Sequence, residues 1–232
     1  MTQSKTDAIV LRRTNYGEAD RIITLLTRDY GKIRVMARGV RKSSSKMAGG
    51  IELFSECQVS FIKGKGEIDT LVSTRLKKYY GDIITDLPRT QVGYDLLMMM
   101  QSATEDDLEQ DYYSLLATGF ANLEEVKLDP LLTRVWFVVQ LLGLTGHELE
   151  LQNDASDSKL DESSAYEFNF ESGRFQVAQN GPYNSTLIKL LRLLTTHQPL
   201  QLKRLEGLED TLQTTNQLTQ YMAEYFLRIK TR

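Results

Sequence analysis

Residues 31–38 read GKIRVMAR, and the chain continues GVRKSSSKMAGG to Gly50. On an extended backbone Ile33, Val35 and Ala37 fall on one side, and Lys32, Arg34, Met36 and Arg38 on the other. That alternation predicts a strand in a sheet with one dry face and one basic, wet face. From Gly31 to Gly50 there is no carboxylate, and the strand dissolves into a Ser/Gly-rich basic loop. A rigid basic strand ending in a flexible basic loop suits a polyanion, and above all a nucleic-acid backbone.

The neighbouring sequence extends the sheet. DAIVLRR (7–13), DRIITLLTR (20–28), KIRVMAR (32–38), LFSECQVSFIK (53–63) and EIDTLVSTRLKK (67–78) are rich in strand formers. Turn residues separate them: NYGEA, DYG, RKSSSKMAGG and GKG. So many short strands without a long helical period predict a small closed barrel of OB or SH3-like type over residues 1–80. Charge follows the same division. Residues 1–80 hold 16 of the 28 Lys/Arg but only 8 of the 31 Asp/Glu, although the whole chain carries a net charge of -3.

Past DIITDLP the period becomes helical. Residues 90–103 and 106–126 carry apolar side chains at three- and four-residue spacing. DPLLTRVWFVVQLLGL offers Asp129 as N-cap and Pro130 at the first helical position, with apolar residues around most of its circumference, as a central helix requires. An acidic loop follows, then NSTLIKLLRLLTTH and TTNQLTQYMAEYFLRIK resume the helical period. In the last of these, Leu218, Tyr221, Met222, Tyr225, Phe226 and Ile229 predict one buried stripe. The fold class is therefore α+β: a five-stranded barrel at 1–80, then an all-α domain at 81–232.

Catalytic chemistry finds no constellation. His147 and His197 are the only imidazoles, and Cys57 is the only thiol, so neither an internal disulfide nor a zinc site built on several cysteines can form. GKGE at 64–67 is too short for a phosphate loop and reads as a hairpin turn. NDASDSKLDE lacks the glycine and closing Glu of a calcium loop. The reading is a non-enzyme with no cofactor and no metal. With one Cys, no signal-peptide pattern and no apolar run long enough for a bilayer, the expectation is a cytoplasmic protein without a membrane partner.

The nucleic-acid candidates are Arg12, Arg13, Lys32, Arg34, Arg38, Arg41, Lys42, Lys46, Lys63 and Lys65, which a barrel would gather from several strands. Tyr16, Tyr30 and Phe61 are candidate base-stacking rings, with Phe61 equally suited to the core. In the helical domain, Arg134 and Arg192 are candidates for the rim of an apolar partner-binding groove. Charge alone leaves an RNA-binding barrel open, and a protein-interaction adaptor as well.

The stretch 8–46 resembles the N-terminal signature of the RecO family of bacterial recombinational-repair mediators. The matching pieces are Tyr16-Gly17-Glu18, Asp20-Arg21, Leu26-Thr27-Arg28, Gly31-Lys32, and Ala37-Arg38-Gly39 with Arg41. The LLGL at 141–144 also suits the family's layout. The resemblance implies an OB-fold followed by helices, binding of single- and double-stranded DNA, and annealing of complementary strands. It implies single-strand-binding protein and RecR as partners, and RecA as the recombinase that is loaded. It makes Gly17, Gly31 and Gly39 turn glycines and pairs Glu18 and Asp20 with a nearby arginine. Many relatives carry a four-cysteine zinc finger at the place held here by residues 147–181. This insert has no cysteine, though FNFESGRF (168–175) still resembles the finger's aromatic hairpin, so a metal-free remnant is expected.

Overall fold

The computed structural model describes residues 3–43, 45, 47–104, 110–202 and 208–229. Contacts divide the chain into two compact units, Met1–Glu124 and Glu125–Arg232.

The first unit is built on five strands: β1 (Gln3–Tyr16), β2 (Asp20–Thr27), β3 (Gly31–Ala37), β4 (Ser55–Ile62) and β5 (Ile68–Tyr79). They close in the order β1-β2-β3-β5-β4, with β3 and β5 parallel and the other pairs antiparallel. This is the five-stranded Greek-key barrel of the OB type. Closure depends on the length of β1, whose first half pairs with β4 and second half with β2. The predicted alternation holds: Val35 and Ala37 are fully buried beside Ala8, Val10, Ile23, Leu25 and Val59, while Arg34 is exposed. Gly17, Gly31 and Gly39 take φ of 56°, 64° and 63°, and Gly39 stands in the turn after β3, where a side chain would be strained. The Gly39 N–H is held by Asp20 Oδ1 at 2.7 Å, so Asp20 fixes a turn rather than pairing with an arginine. Cys57 lies in the barrel core, where burial pushes its thiol up to about 12.

Two helices belong to the same unit, α1 (Leu87–Ala103) and α2 (Gln110–Glu124). The change from strands to helices at residue 80 thus falls inside the first compact unit. Asp86 caps α1 by accepting from the Arg89 N–H at 3.2 Å. Gly93 lets α1 approach closely: a Cβ there would lie 2.9 Å from both Ile83 and the Phe54 ring. On the barrel, Glu56 of β4 accepts hydrogen bonds from the Tyr80 and Tyr113 hydroxyls, the latter at 2.8 Å. Burial, followed by these bonds to Glu56, raises both phenols above their ordinary range.

The second unit centres on α3 (Pro130–Leu144), capped by Asp129 as expected and buried from Leu132 through Val139. Around it lie α4 (Ser185–Thr196), the short α5 (Pro199–Leu202) and α6 (Leu208–Phe226), with a hairpin of β6 (Tyr166–Asn169) and β7 (Arg174–Val177). The expected α6 stripe is only partly inward. Leu218 and Met222 are buried, but Tyr221 and Tyr225 are 55% and 53% exposed, because Leu212, Thr215 and Thr219 complete the inner face instead.

Candidate nucleic-acid interface

The outer face of β1-β2-β3 follows from register. Cross-strand partners share a face, so Arg12, Thr24 and Arg34 form one row and Thr14, Ile22 and Met36 the next. Arg12 owes its place to a bulge. The β1–β2 register slips between Val10 and Arg12, so the buried Val10 and the exposed Arg12 face opposite ways although two residues apart. Arg13 is then opposite the buried Ile23; its side chain is 24% exposed and ion-paired with Glu52.

The ends of this face carry the remaining cations. At one end the β1–β2 turn (17–19) meets the chain leaving β3: Arg41 donates from its backbone N–H to Ala19 O at 2.9 Å and from its guanidinium to Gly17 O at 3.1 Å. This docks the exposed Arg38, Arg41 and Lys42 beside the turn. At the other end the β4–β5 loop (63–67) presents Lys63 and Lys65, both exposed. The loop is tied to the face through an ion pair between Arg34 and Glu67 that is largely open to water. In OB barrels the strand 2–3 face and these two loops are where oligonucleotides bind. Among the described residues, the side chains of Arg12, Arg38, Lys42, Lys63 and Lys65 make no hydrogen bond or ion pair with the protein. Lys46 lies outside the described residues.

Lys32 is used differently. Its ammonium reaches the Gln101 carbonyl at 3.2 Å and the Thr104 carbonyl, at the C-terminus of α1. There it meets the negative end of the helix dipole, so it is a structural cap rather than an open phosphate contact. The stacking candidates separate as well. Phe61 is fully buried in the core, and Tyr30 is half-buried against it, edge to face, with ring centroids 5.4 Å apart. Tyr16, at the end of β1, is 55% exposed.

One feature of this surface is not apparent from the strands alone. A cavity of about 390 Å³ opens between β1 and α1, with Arg12 and Arg13 on one wall and Tyr94, Met98 and Gln101 on the other. Tyr94 is 51% exposed, and its place off the apolar face of TQVGYDLLMMM was the signal in the sequence.

In the second unit the two partner-binding candidates part company. Arg134 is 5% exposed and donates to Asn216 Oδ1 at 2.6 Å, tying α3 to α6. It cannot rim a groove, because α3 is enclosed on nearly every side. Arg192 is half-buried, donates to Leu151 O at 2.8 Å, and lines a cavity of about 520 Å³ with Leu149, Glu150 and Thr195.

The insert does not fit zinc. Among the described residues no three of His, Cys, Asp and Glu gather in a metal-holding group, and His147 stacks on Phe226 with centroids 5.0 Å apart. Aromatic packing occupies the hairpin instead: Phe175 meets Phe168 at 5.2 Å and Tyr183 at 6.1 Å. The acidic turns satisfy themselves, as when Asp154 accepts from the N–H groups of Ser156 and Ser158 at 2.8 and 2.9 Å. Among the described residues no helix is long and apolar enough to cross a membrane.

Comparison with known proteins agrees with this architecture. Residues 1–80 match the family model described as Recombination protein O N terminal, and residues 97–232 the one described as Recombination protein O C terminal. Relatives include the DNA repair protein RecO of Dehalococcoides mccartyi, 31% identical over 87% of this chain and 82% of that protein. The DNA repair protein RecO of Streptomyces avermitilis is 35% identical over 67% of this chain and 66% of that protein. With its OB-type barrel, its helical second unit and both halves of the family pattern, the chain belongs to the RecO family.

Proposed function

We propose that this protein is a non-catalytic DNA-binding mediator of recombinational repair. Its barrel holds the backbones of single- and double-stranded DNA and brings complementary strands together for annealing. Acting on single-strand-binding protein and with RecR, it clears the way for RecA to load. The observation that carries this reading is the run of cations along one outer face: Arg38, Arg41 and Lys42 at one end, Arg12 and Arg34 across the strands, and Lys63 and Lys65 at the other end. Such side chains neutralise phosphates without reading bases, as a mediator acting on any sequence requires.

The test is DNA binding and annealing across salt. If about five phosphates are neutralised, the single-strand log–log slope is about -3.5, and affinity falls on the order of a hundredfold between 50 and 200 mM salt. Binding that ignores salt, or no binding, overturns the reading. Preference for RNA in competition would move the activity to an RNA-binding barrel.

A second surface is supported by the cavity at Arg192. Leu149 and Leu151 suit the apolar side chains of a peptide such as the tail of single-strand-binding protein, with Arg192 for its carboxylate against the opposing charge of Glu148 and Glu150. Titrating a labelled tail peptide should show weaker binding to Arg192→Ala than to the unaltered protein. Equal binding places the partner elsewhere.

A further inference from the structure

The cavity between β1 and α1 has the parts of a nucleotide site. Leu11, Leu53 and Leu97 give it apolar walls, and Arg12 places positive charge along one side, next to Arg13, whose guanidinium is ion-paired with Glu52. Gln101 and Ser102 add an amide and a hydroxyl at the end of α1. Tyr94 supplies an aromatic ring that is half in solvent.

That ring is held in place from behind. Phe54 meets it with centroids 5.2 Å apart at an interplanar angle of 73°, and meets Phe120 of α2 at 5.6 Å. Phe54 takes φ of 57°, a left-handed conformation rarely adopted by a bulky residue, and is 1% exposed. The close approach at Gly93 brings α1 onto the same Phe54 ring. A strained, buried residue thus supports an exposed tyrosine beside two arginines.

The cavity is also continuous with the proposed DNA face, since Arg12 belongs both to its wall and to the Arg12–Thr24–Arg34 row. A strand whose phosphates follow that row would reach the cavity with its next nucleotide. We propose that the cavity receives one unstacked nucleobase of a single strand, stacked on Tyr94 with its phosphate at Arg12. This rests on the DNA-binding reading and goes beyond it, because it gives single strands a contact that a base-paired duplex cannot make. The Arg12 guanidinium, which has no carboxylate partner among the described residues, favours a nucleotide over an apolar peptide, which would gain nothing from it.

The experiment compares two labelled strands of equal length, oligodeoxythymidylate and an abasic deoxyribose-phosphate strand, on the full chain. Tyr94→Ala should weaken binding of the thymidylate strand roughly tenfold, leave the abasic strand unchanged, and be rescued by Tyr94→Phe. Equal loss on both strands, or no loss on either, overturns the stacking proposal while leaving the phosphate contacts standing. If the unaltered protein binds neither strand, the DNA reading falls and this one with it. A measurement independent of any variant is photo-cross-linking of a 5-iododeoxyuridine strand to the unaltered protein. Cross-links should map by mass spectrometry to Tyr94; cross-links at Tyr16 without Tyr94 overturn the proposal.

Discussion

On the barrel's outer face an arginine is a surface group, whereas inside the helices the same side chain is a structural tie. Arg12 and Arg34 stand on strands whose opposite sides are filled by Val10, Val35 and other core residues. Arg89 of α1 is 6% exposed, and its guanidinium donates to Leu123 O, near the C-terminus of α2, at 2.9 Å. Arg134 of α3 is buried against Asn216. A strand with two faces gives a cation a way out to water, while a helix enclosed on most sides forces it to find a partner inside. Tyrosine divides in the same way: Tyr16 and Tyr94 are exposed, while Tyr80 and Tyr113 are committed to Glu56. Charge and aromatic content alone therefore do not mark a binding site; the side of the element on which the residue stands does.

The largest expected effect tests the inward groups. Cys57, Tyr80 and Tyr113 all belong to the first unit, and burial raises all three. A group whose folded pKa lies above its unfolded value stabilises the fold below the unfolded pKa and loses that contribution as pH rises. For Cys57 the window runs from the ordinary 9.0 to about 12 and amounts to something on the order of 4 kcal/mol. The two tyrosines act in the same direction above their ordinary 10.0. Urea midpoints should hold between pH 8 and about 9 and fall from there to pH 11, less steeply in Cys57→Ala. A midpoint independent of pH breaks the assignment.

Next come the buried arginines. Arg89→Ala strips a charged donor from the end of α2, and Arg134→Ala leaves Asn216 without its partner from α3. Each should cost about 2–3 kcal/mol of stability, read as a lowered urea midpoint. DNA affinity should hold wherever the protein remains folded. If Arg134→Ala bound DNA more weakly while remaining as stable as the unaltered protein, the inside-outside division would fail.

The strand pattern was legible because one-residue alternation survives in GKIRVMAR and its neighbours, and the caps at Asp129 and Pro130 were legible because helix ends use local chemistry. What was not legible depends on distant partners. The register slip beside Leu11 is set by the β2 partner, so nothing in AIVLRR announces that Arg12 goes out while Arg13 turns toward Glu52. Lys32 reads as a surface cation until α1 brings its last carbonyls to it. Arg134 sits in LTRVWF, where an apolar run around the whole circumference was itself the warning that no solvent face remained.

A third effect concerns the outer face. Charge reversal at Arg12, Arg34 and Arg38 together should reduce DNA affinity on the order of a hundredfold and lower the single-strand salt slope by about 2, since each phosphate contact contributes about 0.7. Urea midpoints should stay within about 0.5 kcal/mol of the unaltered protein, because none of the three is buried. Reversal of Lys32 offers the sharper contrast. Removing the cap of α1 should lower stability more than DNA affinity. The opposite order would return Lys32 to the interface.

The smallest effect probes an acid tied to the row. Glu67 is 83% exposed and its partner Arg34 is 47% exposed, so their ion pair is screened by water on most sides. Exposed pairs of this kind contribute roughly 0.2–1 kcal/mol. Glu67→Gln should therefore leave stability almost unchanged, while freeing Arg34 and removing a charge that repels phosphate. DNA should bind about two- to fivefold tighter at 50 mM salt, with the gain shrinking at 200 mM as screening grows. In an Arg34→Gln background the gain should shrink to the part due to lost repulsion, because the carboxylate would no longer compete with DNA for the guanidinium. If Glu67→Gln weakened binding instead, the pair would be holding Arg34 in its productive position, and the β4–β5 loop would matter for preorganisation more than for its lysines.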